Sequence, residues 1–145
     1  MMDILQIYNV SRETKEKIEA YKTLVLEWNC KFNLISKSSV EHIWERHILD
    51  SVQLYKYIRP TDKILLDLGS GAGFPGMVLA IMAEQLNPEL SINLVESIGK
   101  KTLFLNAVKN ELKLNVNILH DRIENIKMKN VDVITSRALA ALSKL

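Results

Sequence analysis

The stretch Asp67-Leu68-Gly69-Ser70-Gly71-Ala72-Gly73-Phe74-Pro75-Gly76 constrains this chain more than any other. Before it, Lys63-Ile64-Leu65-Leu66 is a short apolar run of the kind that forms a buried strand. After it, Met77 to Ala83 is apolar and rich in helix formers. Strand, glycine-rich turn and helix make a unit that cradles a nucleotide. Glycines allow positive φ and close approach of backbone to a ligand. The helix is expected to begin near Pro75, a residue favoured in a first helical turn. The free N–H groups at its start then face the ligand.

Two ligand classes suit such a turn. Gly71-Ala72-Gly73-Phe74-Pro75-Gly76 is a literal G-x-G-x-x-G, and Glu96 lies twenty residues beyond Gly76, where a dinucleotide fold places its ribose-binding acid. Asp67, two residues before the first glycine, argues for the other class. A carboxylate there would meet a pyrophosphate unfavourably but suits the cationic end of an aminoacyl group. The pattern D-x-G-x-G-x-G is similar to the cofactor loop of S-adenosylmethionine-dependent methyltransferases.

With 145 residues the chain allows one domain with a small extension, and 48% hydrophobic content supplies a core. A net charge of +2 neither demands nor excludes nucleic acid, so any RNA surface must be a local patch. The single cysteine, Cys30, excludes an internal disulfide, and His42, His47 and His120 show no ligand spacing with it, so no metal site is expected. No signal peptide and no apolar run near ~18 residues is present, which predicts no membrane span and a cytoplasmic setting.

In chain order, Ser11 begins a helix whose face carries Ile18, Tyr21, Val25 and Trp28. Asn29 and Asn33 predict a turn. Ser38 with Glu41 reads as a capping box for a helix carrying Ile43, Trp44, His47, Ile48, Val52 and Tyr55 and stopping before Pro60. On it, His47 reads first as a core histidine with a satisfied ring nitrogen and second as a ligand-facing residue, and Arg46 and Asp50 read as a surface pair. After the glycine turn, Ser91–Glu96 reads as a second strand. Lys100–Leu112 reads as a helix with Leu103, Phe104, Ala107, Val108 and Leu112 inward. Val116–Leu119 and Val131–Ile134 read as third and fourth strands. Alternating strands and helices predict a parallel, doubly wound α/β sheet behind an N-terminal helical extension, divided as 1–60 and 61–145. Ligands bind at the carboxyl ends of such strands, where Asp67, Glu96, Glu124 and Arg137 fall.

Trp28-Asn29 with Phe32-Asn33-Leu34, Arg46 to Ser51, Asp67 to Gly76, Glu96 to Lys101, Arg122-Ile123-Glu124 and Ser136-Arg137-Ala138 together resemble the bacterial small-subunit ribosomal RNA guanine-N(7)-methyltransferases, also called glucose-inhibited division protein B. The resemblance implies a Rossmann-like methyltransferase fold, S-adenosylmethionine as cofactor, and small-subunit ribosomal RNA, free or in an assembled or assembling subunit, as substrate. It implies cofactor contacts at Gly69, Phe74, Ile123, Glu124 and Arg137, and a core that continues beyond Leu145. A monomer is expected.

Ring nitrogen 7 of guanine carries a lone pair and needs no proton removed, so no catalytic base is expected. Thr135-Ser136-Arg137-Ala138 is not the Asn/Asp-Pro-Pro-aromatic turn of exocyclic-amine methylation, and Cys30 lies in the extension, away from the strand ends. Glu96 is expected to accept from the ribose diol. Asp67 is expected to orient the glycine loop or the aminoacyl end, with Gly71 and Gly73 giving the ligand its approach. Ile123 and Glu124 are expected to border the adenine, and Arg137 to touch cofactor or target nucleotide. Lys100, Lys101 and Arg122 form a basic rim suited to RNA phosphates. The rival readings are a nicotinamide-dependent oxidoreductase and a non-catalytic RNA-binding module.

Overall fold

The computed structural model describes residues 3–137. A short α1 (Asp3–Ile7) precedes α2 (Arg12–Phe32). Ser11 caps α2, its hydroxyl accepting from the Thr14 amide at 3.2 Å. Ile18, Tyr21 and Val25 are fully buried on one face, as their spacing requires. The helix runs through Asn29 and ends at Phe32, with Asn33 in the left-handed region. Asn29 does not turn the chain. Its side chain accepts from the Ile35 amide at 2.8 Å and fixes the exit from the helix.

The next segment departs from the expected single helix. α3 (Lys37–Glu41) is capped by Ser36, whose hydroxyl accepts from the Ser39 amide at 3.2 Å. The Ser38–Glu41 capping box does not form, because Ser36 already occupies the capping position and Ser38 accepts from Arg46 instead. A six-residue π-helix, Trp44–Leu49, follows, then α4 (Asp50–Gln53) and a 3₁₀ turn to Tyr57. Ile43, Trp44, Ile48, Val52 and Tyr55 all point into the core.

The sheet consists of β1 (Ile64–Leu68), β2 (Ser91–Glu96), β3 (Asn117–His120) and β4 (Val133–Ser136), all parallel, in the order β3-β2-β1-β4. β4 lies two residues further on than its apolar run suggested, so Thr135 is not in a departing turn but pairs with Asp67. α5 (Gly76–Leu86) and α6 (Gly99–Leu112) supply the crossovers from β1 to β2 and from β2 to β3. Right-handed crossovers advancing in one direction put both helices on the same face. α5 is buried from Gly76 through Ala83, which explains why its sequence is apolar without periodicity. On α6, Leu103 is 57% exposed, contrary to its expected inward position, while Phe104 and Val108 are fully buried.

The N-terminal helices share the core of the sheet. Leu5, Ile18, Tyr21, Val25, Ile48 and Val52 belong to one cluster with Leu65, Met77, Ile81, Leu94 and Phe104. α2 is also tied to α5 by polar contacts, Lys17 Nζ to Glu84 at 2.9 Å and Thr14 Oγ1 donating to Gln85 at 2.8 Å. The expected division at residue 60 falls between Tyr57 and Ile64, but the packing is continuous across it. Among the described residues, no helix is long and apolar enough to cross a membrane.

The order reverses at β1, where the chain leaves β3 on one side and returns to place β4 on the other. This switch point opens a crevice at the carboxyl ends of the strands. Gly76, the first residue of α5, lies against the sheet just below it. A Cβ at Gly76 would collide with Leu94 Cδ2 and Asp67 Oδ2, both on fully buried side chains. Gly76→Ala is expected to destabilise the fold by about 1–3 kcal/mol, the usual cost of overpacking, read as a lower midpoint in urea unfolding. An unchanged midpoint would mean that α5 docks less tightly than the structure has it.

Candidate functional site

The glycine loop is shaped from beneath by one carboxylate. Asp67, with 0% exposure, ends β1 pointing towards α5. Its Oδ2 accepts from Ser70 Oγ at 2.7 Å and its Oδ1 from Thr135 Oγ1 at 2.7 Å. The Gly76 amide also donates to it. Burial holds its pKa above the ordinary carboxylate value, and these three donors offset part of that rise. Asp67 thus joins β1, the loop, β4 and the start of α5. Of its two expected roles, it takes the first, orienting the loop. It does not face the crevice, so the expected direct repulsion of a pyrophosphate does not arise from it.

A second support comes from α2. The Tyr21 hydroxyl donates to the Ala72 carbonyl at 2.5 Å, fully buried. Burial, and secondarily the nearby Asp67, hold the Tyr21 phenol well above its ordinary pKa, so it remains a donor. This contact explains Gly73. Its φ of 99° disfavours any side chain, and a Cβ would stand 2.7 Å from both Tyr21 Oη and Met77 Cβ. Gly73 was expected to give a ligand its approach, but the structure uses its smallness to admit Tyr21. Gly71 is different. A Cβ there meets only the Gly69 carbonyl, at 4.0 Å, and its constraint is its φ of 57°.

Glu96 closes the loop from the neighbouring strand. Its Oε1 accepts from the Gly71 amide at 2.7 Å and its Oε2 from the Ile98 amide at 2.9 Å. Each carboxylate oxygen keeps a lone pair for another donor. Glu96 is therefore both a clamp between the β1 and β2 ends and a wall of the crevice.

That crevice is a cavity of about 540 Å³, within the range of small-molecule sites. Gly69, Gly71, Phe74, Glu96, Ile123, Glu124 and Arg137 line it, together with Lys101 and Arg122 of the basic rim. Asp67 and Gly73 lie beneath it, and Lys100 stands exposed at the start of α6. Arg122 and Glu124 are both exposed and 3.9 Å apart, a pair too open to fix either side chain. Ala138, the last residue of the Ser-Arg-Ala turn, lies outside the described residues.

The sequence reading missed one wall. Leu34, Ile35 and His47, all from the N-terminal helices, also line the cavity. His47 stacks on Phe74, with centroids 4.7 Å apart and planes at 20°. It was expected to be a satisfied core histidine, but both ring nitrogens are buried without a hydrogen-bond partner among the described residues. Burial, with Arg137 next in weight, lowers its pKa and keeps the ring neutral near pH 7. Asp50 does not pair with Arg46. It lies 3.3 Å from Arg137, whose Nη2 also donates to the Arg46 carbonyl at 2.7 Å. Arg137 Nη1 is the third buried polar atom without a partner among the described residues. The tie between the π-helix and the end of β4 could have been suspected from Arg46-His47 and Asp50 standing on one short segment. Nothing local in the sequence pointed to Arg137 as their partner.

A family model described as rRNA small subunit methyltransferase G matches residues 14–145. The Ribosomal RNA small subunit methyltransferase G of Cereibacter sphaeroides is 48% identical over 142 residues, covering 98% of this chain and 69% of that protein. The protein of the same name from Orientia tsutsugamushi is 45% identical over 144 residues, covering 99% and 70%. Among solved structures, a Plasmodium falciparum chain described as a protein-L-isoaspartate O-methyltransferase, bound to S-adenosylhomocysteine, superposes with a TM-score of 0.46 and 16% identity over 80% of this chain and 72% of that one, too distant to bear on this site.

The double role of Glu96 yields a measurement. In Glu96→Gln one oxygen becomes an NH₂ facing a backbone N–H. Stability without ligand should fall by about 1–3 kcal/mol, the cost of a buried donor left unpaired. Urea unfolding of the ligand-free variant checks this, and unchanged stability would show that the Gly71 and Ile98 amides are satisfied some other way.

Proposed function

The chain belongs to the rRNA small subunit methyltransferase G family, and on that premise we propose that it transfers the methyl group of S-adenosylmethionine to ring nitrogen 7 of a guanine in small-subunit ribosomal RNA. The observation that carries the reading is the cavity at the switch point, with Glu96 on one side and Arg137 on the other. Its chemistry fits this cofactor. Glu96 retains acceptor capacity for a ribose diol, and the unpartnered Nη1 of Arg137 suits a carboxylate. Ile123 and Glu124 border the β3 end, where an adenine linked to that ribose would lie.

Bound there, the cofactor supplies an electrophilic methyl on a sulfonium. The residues of the chain hold it in place. Tyr21, Asp67 and Glu96 fix the loop so that its backbone does not reorganise when ligand enters. Leu34, Ile35 and Phe74 give the cavity an apolar part of its wall. A guanine nitrogen with its own lone pair needs alignment more than proton removal, and alignment alone is worth several orders of magnitude in rate. Lys100, Lys101 and Arg122, beside the β2 and β3 ends, would meet backbone phosphates of the RNA and orient it without reading its sequence.

The test is transfer with a labelled methyl group. The chain is incubated with methyl-labelled S-adenosylmethionine and small-subunit RNA, free or as assembled subunits, and the RNA is digested to nucleosides. Label in 7-methylguanosine is expected. Label in another nucleoside would overturn the position. No label, together with stabilisation by NADH instead of S-adenosylhomocysteine in a thermal shift, would overturn the chemistry.

A further inference from the structure

Among the described residues, the buried side-chain nitrogens and oxygens that lack a partner are the two ring nitrogens of His47 and Nη1 of Arg137. Both residues line the same cavity, and Arg137 is close enough to act electrostatically on the His47 ring. Buried polar groups in folded proteins are almost always paired, and each unpaired one costs about 1–3 kcal/mol. Such atoms on two residues that line one ligand cavity mark where a ligand belongs.

Topology separates what the two residues meet. The order β3-β2-β1-β4 puts Glu96 at the end of β2 and Arg137 just past the end of β4, with the glycine loop between them. A cofactor whose ribose meets Glu96 and whose adenine lies towards β3 directs its amino-acid end towards β1 and β4. The charged Arg137 suits that carboxylate. His47 offers something else. Its ring lies flat on Phe74, and the apolar Leu34 and Ile35 line the same cavity. A neutral imidazole presents one donor and one acceptor. That surface suits a flat, uncharged heterocycle that carries both kinds of group, as a purine base does.

We propose that His47, carried on the π-helix of the N-terminal segment, binds the target guanine and sets its edge against the cofactor site. The inference rests on the proposed reaction and adds a residue to it. A neutral ring N–H donates to the 6-oxo group, which neighbours ring nitrogen 7 on the same edge of the base. A half-turn about the Cβ–Cγ bond keeps the ring plane on Phe74 and exchanges each ring nitrogen with a ring carbon, which is how a nitrogen would be presented to the base. The base reaches it from a single-stranded or extruded nucleotide, as enzymes that act on bases require. The π-helix provides the placement. Local π geometry shifts a side chain off the helical register, and such segments are frequent at functional sites.

The charged groups around His47 set its pH behaviour. Arg137 faces it from the end of β4, and Arg46 and Asp50 from its own segment. Burial and Arg137 favour the neutral ring, and Asp50 opposes them. On the loop side its neighbour is Phe74, which carries no charge. The folded pKa is lowered, so the neutral form persists at neutral pH. Its binding capacity is lost as pH falls through that lowered value.

Two variants test this on the full chain. His47→Phe keeps the ring on Phe74 and removes both polar atoms. His47→Gln keeps a donor and an acceptor and does not titrate. His47→Phe should lower kcat/KM for RNA roughly tenfold or more with S-adenosylhomocysteine affinity unchanged by calorimetry. His47→Gln should recover part of that loss and abolish the acid limb of the wild-type pH profile, which lies below the ordinary histidine value. Wild-type turnover in His47→Phe, a loss that tracks cofactor affinity, or an acid limb that persists in His47→Gln would each overturn the assignment. Wild-type protein that forms no 7-methylguanosine would instead sink the proposed function, and this inference with it.

Discussion

The site depends on a carboxylate that does not enter it. Asp67 is fully buried where β1 ends, and it gathers Ser70, Thr135 and the Gly76 amide around one charge. Desolvating a carboxylate is costly, and it is tolerated only where hydrogen bonds replace water. Here those bonds come from the loop, from β4 and from the start of α5. The same bonds that keep the charge acceptable hold together the segments that form the floor of the cavity. Tyr21 and Glu96 add one tie each, from α2 and from the β2 end. The loop is held from three directions before any ligand arrives. Such preorganisation lowers the cost of binding.

The N-terminal helices do two things through one packing arrangement. Their apolar face completes the core beside α5 and α6, with Tyr21 reaching through to the loop. The segment that follows then turns over the crevice and supplies Leu34, Ile35 and His47 as a wall. Arg137 ties this wall to the end of β4 through the Arg46 carbonyl and Asp50. Core and site are therefore coupled: a change that loosens α2 also loosens the loop, and a change at β4 is felt in the π-helix.

Much of this was legible in the sequence, and the parts that were not have a common cause. The strand-glycine-helix unit was readable because local chemistry dictates it. An apolar run, glycines that accept positive φ, and an apolar helix leave few alternatives. Glu96 was readable because its spacing from the loop follows from one crossover. The open points and misreadings came from tertiary contacts. Asp67 keeps two readings in the sequence, orienting the loop or meeting the aminoacyl end, because position shows where a strand ends but not which way a side chain points. Its bonds to Ser70 and Gly76 fit the first. Gly73 was assigned to the ligand because nothing local reveals that Tyr21, 52 positions earlier, fills the space above it. For His47 the sequence favours the core over a ligand-facing role, because an apolar helical face usually points inward. The π-helix and its partner Arg137, 90 positions on, alter that, and no periodicity in a short window encodes such a pairing.

The central claim is that cofactor binds across the switch point, against the glycine loop, the end of β2 and the turn after β3. Hydrogen exchange with and without saturating S-adenosylhomocysteine tests it directly. Slowed exchange is expected in residues 69–74, 96–98 and 121–124, the segments that line or form the walls of that cavity. Residues 80–92, which border a second and smaller cavity at the far end of α5, should be unaffected. Protection confined to that second region, or no protection in the glycine loop at saturation, would contradict the account.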